Sequence, residues 1–213
     1  SALKLIIDNA IVADGMADVF EMVGLDRPNI GLLSPEFLED VKNLPQKNLA
    51  VELLEKLLRD EVKARMKTDV VSEKKYSDRI METLRKYHNR AIETAQVIEE
   101  LINMAKEMEA DAKQAESLDL NHDEIAFYRA LIQNESAVRE LGDDNLRELA
   151  KQVTAQLRKS TTVDWQVRDS VRAKLRNLVR RALRKWKYPP DKADDAIELC
   201  MKQAEALSES WTQ

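Results

Sequence analysis

Apolar positions recur along this chain at spacings of three and four, the pattern of helices that each bury one face. From Ala2 to Val23, the residues Leu5, Ala10, Val12, Met16, Val19, Phe20 and Val23 make a broad apolar face, and Gly24 is placed to stop it. "GLDRPNIGLL" then forms a loop. At "SPEF", Ser34 is a helix cap and Pro35 occupies the first turn, where a missing N–H costs nothing. Pro45 interrupts that helix, and Leu49, Leu53, Leu54, Leu57, Leu58 and Val62 line one side of the next.

The stretch from Ser72 to about Ala115 contains no Gly or Pro. Its apolar positions Ile80, Leu84, Tyr87, Ala91, Ala95, Ile98, Ile102, Ala105 and Met108 step mostly by threes and fours, which predicts one very long central helix. Ala91 and Ala95 are small enough for a neighbouring helix to approach closely. Asn121 and Glu124 form a capping-box pattern at the start of a further helix. After "LGDDN", Leu146, Leu149, Val153 and Leu157 define another. A helix over 165–187 follows, ended by Tyr188-Pro189-Pro190, and Asp191 is placed to start a last helix running toward Leu207. The expected fold is an all-α multi-helix bundle with a central helix over 72–115 and no sheet. It forms a single domain over 1–213, with a possible division into 1–118 and 119–213.

Composition narrows the function classes. Four glycines and five prolines in 213 residues leave little turn chemistry for a many-stranded sheet. No apolar run approaches the roughly 18–20 residues needed to span a bilayer. The single cysteine, Cys200, excludes an internal disulfide framework and suits a reducing cytoplasm. The Ser-Ala start, with neither Met nor a signal peptide, suggests a piece excised from a longer protein.

Catalytic signals are sparse. Glu61 and Lys63 match the Glu-x-Lys fragment of a metal-dependent nuclease, with Asp40 or Asp60 as conceivable partners. On a leucine-periodic helix, however, Glu61 and Lys63 point about 200° apart and do not converge. His88 and His122 lie far apart without metal-ligand spacing around them. His88 is expected to be a partly buried packing residue, His122 a first-turn surface residue and Cys200 a small core residue. No phosphate-binding loop, dinucleotide fingerprint or nucleophile elbow is present. The sequence therefore offers no catalytic residue, metal ligand or cofactor-binding residue.

Charge is the remaining signal. From Arg158 to Tyr188 eleven Lys/Arg face two Asp, a net of +9, although the whole chain carries −5. From Glu93 to Glu148 fifteen Asp/Glu face five Lys/Arg, a net of −10. Within the basic helix, Val171, Leu175, Leu178, Ala182 and Trp186 centre the apolar face, and the cations spread over the other half. Like charges at i, i+4, such as Arg172/Arg176 and Arg180/Arg184, together cost the isolated helix on the order of 1–2 kcal/mol. Something outside the helix should compensate: the chain's own acidic stretch, an acidic protein partner or a nucleic-acid backbone. The candidate contact residues are Arg172, Lys174, Arg176, Arg180, Arg181, Arg184 and Lys187.

Five stretches occur together in one order: "SPEFLEDVKNLPQKNLAVELLEKLL", "KYHNRAIETAQVIEELINMAKEM", "DEIAFYRAL", "VDWQVRDSVRAKLRNLVRRALRKWKYPPDK" and "AIELCMKQAE". Together they resemble the C-terminal helical region of the restriction (R) subunit of type I restriction–modification enzymes, in the HindI-like group, from about Leu5 to Leu207. One departure is Lys187, where the family pattern leads one to expect Gly; a lysine there is expected to extend the helix by one residue. The resemblance implies a parent with an amino-terminal metal-dependent nuclease and two ATPase motor domains that translocate and cleave DNA. Its helical domain would dock that engine onto the methyltransferase (M) and specificity (S) subunits. ATP, Mg²⁺ and S-adenosylmethionine would serve other domains or subunits, with no cofactor in this piece. Contact with a non-specific DNA backbone through the basic helix is the alternative.

Overall fold

The computed structural model describes residues 34–161, 165 and 167–212. The helix expected over Ala2–Val23, its Gly24 stop and the following loop lie outside the described residues. Within them the chain forms eight α-helices: α1 (Pro35–Lys42), α2 (Lys47–Arg65), α3 (Val70–His88), α4 (Thr94–Glu116), α5 (His122–Leu131), α6 (Glu135–Ser160), α7 (Asp169–Lys185) and α8 (Ala193–Trp211). A short 3-10 turn, Pro190–Lys192, leads into α8. The described residues contain no strand, so the all-α expectation holds.

Local chemistry sets many of these ends. The Ser34 hydroxyl accepts from the Phe37 N–H at 3.2 Å, and Pro35 fills the first turn of α1. At α5, Asn121 accepts from the Glu124 N–H while Glu124 accepts from the Asn121 N–H, both at 2.9 Å, closing the capping box. Asn134 caps α6. The helix expected after "LGDDN" forms as the second part of α6, set off by a kink at Gly142, which adopts φ 74°, ψ 167°.

The single long helix over 72–115 does not form. The chain breaks after His88, and α4 folds back antiparallel against α3. The cross-helix partners run in opposite directions: Lys75 with Asp111 at 3.1 Å, Arg79 with Glu107 at 2.5 Å, and the Thr83 hydroxyl with Glu100 at 2.9 Å. The break is a helix-ending motif in which Arg90 takes φ 56°. Its N–H donates to Tyr87 O at 3.0 Å, and the Ala91 N–H donates to Lys86 O at 2.8 Å. Gln96 then accepts from the Glu93 N–H at 3.0 Å and helps start α4. The seam is real, but it belongs to two facing helices. Ile80 and Leu84 of α3 and Ile98, Ile102, Ala105 and Met108 of α4 are buried together. Ala91 and Ala95, at the connection, are exposed rather than packed against a neighbour.

Two apolar cores result. The first joins α1, α2, α3 and α4 around residues such as Leu54, Leu57, Leu58, Tyr76 and Leu101. The second joins α5, α6, α7 and α8 around Phe127, Leu131, Leu149, Leu175 and Cys200. Cys200 is completely buried there, and desolvation pushes its thiol up to about 12. Asp191 sits, as expected, at the start of the last helix, in the 3-10 turn that leads into it. Its carboxylate accepts from Asn134 Nδ2 at 3.2 Å and Ser136 Oγ at 2.9 Å, tying the 3-10 turn to the start of α6. The last helix continues past Leu207 to Trp211, whose indole N–H donates to Asp123 at 2.7 Å.

Candidate functional site

The basic helix α7 begins at Asp169, four residues later than the expected start at Trp165, which is buried in the turn before it. Its buried stripe is Leu175, Val179, Ala182 and Leu183, while Val171, Leu178 and Trp186 are half-buried at the margin. The apolar face is therefore rotated slightly from the one centred on Leu178 and Trp186. It turns the cationic half of the helix to solvent.

Lys187 is the second departure. It does not extend the helix but takes φ 55°, the left-handed conformation. The Lys187 N–H donates to Arg184 O at 3.0 Å and the Tyr188 N–H donates to Leu183 O at 2.9 Å. Leu183 and Tyr188 are buried in the same core, completing a Schellman motif with its apolar contact. The Tyr188 hydroxyl then donates to Leu131 O at 2.7 Å. A glycine would meet no Cβ penalty at position 187, which gives the family expectation its physical reason.

The candidate cations divide by what they meet. Arg172 lies over the Trp165 ring, 5.9 Å from its centroid. Arg176 pairs with Glu198 of α8 at 2.9 Å. Arg180 donates to Asn177 Oδ1 at 3.0 Å, and the more exposed Arg181 approaches Asn177 O at 3.4 Å. Lys174, Arg184 and Lys187 are exposed. Among the described residues, no carboxylate forms an ion pair with Lys174, Arg180, Arg181, Arg184 or Lys187. α7 thus presents a compact cationic outer face on a firmly packed base.

Several carboxylates of the acidic stretch pair away from α7. Glu107 pairs with Lys75 and Arg79, Glu109 with Arg65, Asp143 and Asp144 with Arg147, and Glu148 with Lys151. The hydrogen bonds from Lys75 and Arg79 hold the Glu107 carboxyl below its usual range. None of these pairs reaches α7. Among the described residues, the carboxylate that does, Glu198, lies outside the acidic stretch.

The other sequence candidates disperse. Glu61 pairs with Arg65 at 2.6 Å and Asp60 with Lys56 at 3.1 Å, while Lys63 and Asp40 are exposed on α2 and α1. Burial raises the Glu61 carboxyl despite Arg65. His88 is exposed rather than partly buried, because it falls at the end of α3 instead of inside a long helix; its ring lies 5.6 Å from Tyr87. His122 is a surface residue, 2.7 Å from the Thr68 hydroxyl. Among the described residues no cluster of His, Cys, Asp or Glu is placed to hold a metal ion, and no helix is long and apolar enough to cross a membrane.

Sequence reasoning passed over a second polar cluster, Asp69, Arg129 and Gln203. Its legible sign was a glutamine at a core position of α8, among Cys200, Ala204 and Leu207.

Fold and surface together define an all-α module whose outward feature is a basic helix. Over residues 1–210 the chain matches the family described as type I restriction enzyme HindI endonuclease subunit-like, C-terminal, and it belongs to that family. It is 41% identical over 210 residues to the type I restriction enzyme HindI endonuclease subunit of Haemophilus influenzae, covering 99% of this chain and 20% of that protein. A Methanocaldococcus jannaschii protein named as a type I restriction enzyme MjaIXP endonuclease subunit is 36% identical over 130 residues, 61% of this chain and 12% of that protein. The chain thus spans a fifth or less of the length of these relatives. No solved structure matches it.

Proposed function

We propose that this chain is a helical assembly domain, not itself catalytic, of a type I restriction enzyme R subunit acting in the cytoplasm. It docks an ATP-dependent DNA translocase and endonuclease onto the methyltransferase and specificity subunits. The parent would cleave foreign DNA, and ATP, Mg²⁺ and S-adenosylmethionine would be used by other domains or subunits of the complex. Residues 1–213 act as one unit, with a division near 118/119 marking its two parts.

One observation carries the docking surface. The outer face of α7 holds Arg180, Arg181 and Arg184 without a carboxylate among the described residues, while its inner face is locked into the second core. Opposed i, i+4 cations are most stable against a complementary acidic surface, and such complementarity steers and orients association. Family membership supplies the other support, through relatives named as endonuclease subunits.

The test is capture of the R subunit by the methyltransferase–specificity core, without DNA. Arg180→Glu/Arg184→Glu should weaken capture at least about tenfold, since reversing rim charges sets like against like. Unchanged capture would refute the α7 docking face. The same row of guanidiniums could instead meet DNA phosphates, without reading sequence. In that case capture would depend on added DNA, and DNA binding by the R subunit would fall steeply with salt and with the same substitutions.

A further inference from the structure

The two apolar cores meet at the short turn between α2 and α3, and what joins them there is mostly polar. Asp69, 3% exposed, caps α3 by accepting from the Ser72 N–H at 3.1 Å. Its other carboxylate oxygen accepts from Arg129 of α5, in the opposite core. Gln203 of α8 is completely buried. Its Oε1 accepts from the Val70 N–H at 3.0 Å while its Nε2 donates to Thr68 O. One side-chain amide thereby satisfies both backbone groups flanking Asp69. Met66 packs against the first core and Val71, in the first turn of α3, against the second, so the chain passes from one core to the other here.

Empty space flanks this waist. A groove of about 500 Å³ opens on one side between α3 and α8, bordered by Val71, Lys74, Tyr188 and Leu199. A cavity of about 330 Å³ lies on the other, bordered by Arg65, Asp69, Tyr76, His122 and Arg129. Apolar packing is non-directional, whereas a buried ion pair and a two-point amide contact are satisfied at only one geometry. Buried polar groups are best attested as devices that select one arrangement rather than as sources of stability.

We propose that the Met66–Asp69 turn, held by Arg129 and Gln203, is an orientation lock: releasing it lets the two helical cores turn against each other while each stays folded. Because α7 belongs to the second core and α1 to the first, the lock sets the angle at which the basic face is presented. This inference rests on the fold and not on the docking reading, so either can fail without the other.

The experiment measures distances within the 213-residue chain by pulsed electron spin resonance. Spin labels are placed at Met81→Cys on α3 and Val138→Cys on α6, positions that are 59% and 45% exposed. Cys200 is fully buried, with its thiol pushed up to about 12, and stays unlabelled in the folded chain. The otherwise unsubstituted chain should give one narrow distance. Gln203→Leu/Arg129→Met should broaden it with the helical circular dichroism retained, and the single Gln203→Leu, which keeps the Asp69–Arg129 pair, should broaden it less. A distribution as narrow as in the unsubstituted chain, or a loss of helicity in the double variant, would overturn the lock.

Discussion

Replacing Lys187 with glycine should stabilise the protein. At φ 55° an L-residue presses its Cβ toward the following carbonyl, which costs roughly 1–2 kcal/mol. Glycine removes that cost but gains freedom in the unfolded chain, which takes back about 0.4–1 kcal/mol. The net expected gain is roughly 0.5–1 kcal/mol, or a rise of ~1–4 °C in Tm for a chain of this size. The Leu183 and Arg184 carbonyls keep their partners, because both bonds come from backbone N–H groups. Thermal unfolding followed by circular dichroism measures the shift. Lys187→Ala is the control: it removes the charge but retains the Cβ, so it should leave Tm nearly unchanged. Destabilisation by Gly, or equal stabilisation by Ala, would refute the backbone argument and point instead to relief of cationic repulsion. Arg90, at φ 56° in the same motif, should respond to Arg90→Gly in the same direction.

Two further outcomes follow from the cores and the ion pairs. Leu175→Ala, in the fully buried stripe of α7, should cost about 2–5 kcal/mol, read as a lower urea midpoint. Glu107 has a folded-state pKa below its unfolded value of 4.5, because Lys75 and Arg79 donate to its charged form. Its contribution to stability is therefore complete above pH 4.5 and lost as pH falls through the depressed value. Glu107→Gln should flatten that acid limb in urea midpoints measured against pH, and an unchanged limb would contradict the assignment.

Much of the helical content was legible because caps and apolar spacing are local. Ser34 with Pro35, Asn121 with Glu124 and the break at Pro45 all act within a few residues of themselves. The misreading at 72–115 has an equally definite cause. A coiled-coil-like seam has the same spacing whether its helix runs on or folds back, and no Gly or Pro marks the turn at Arg90. The legible hint was Gln96, three residues after Glu93, in position to accept from its N–H. Asp191 shows the same limit: its place at the start of the last helix was legible, but its bonds to Asn134 and Ser136 at the start of another helix were not.

The candidate site was legible in composition and family resemblance but not in its partners. The basic helix, its apolar face and its seven candidate cations could be named from the sequence, since periodicity assigns each residue to one side. Only the tertiary structure decided that Arg176 meets Glu198, that Arg172 lies over Trp165, and that Lys75, Arg79 and Arg65 pair with Glu107, Asp111 and Glu109 of the acidic stretch. The same holds for Asp69, Arg129 and Gln203, which stand up to 134 positions apart in the chain. Helical faces are set by neighbours three and four residues away, whereas charge compensation and buried polar contacts depend on which faces pack together.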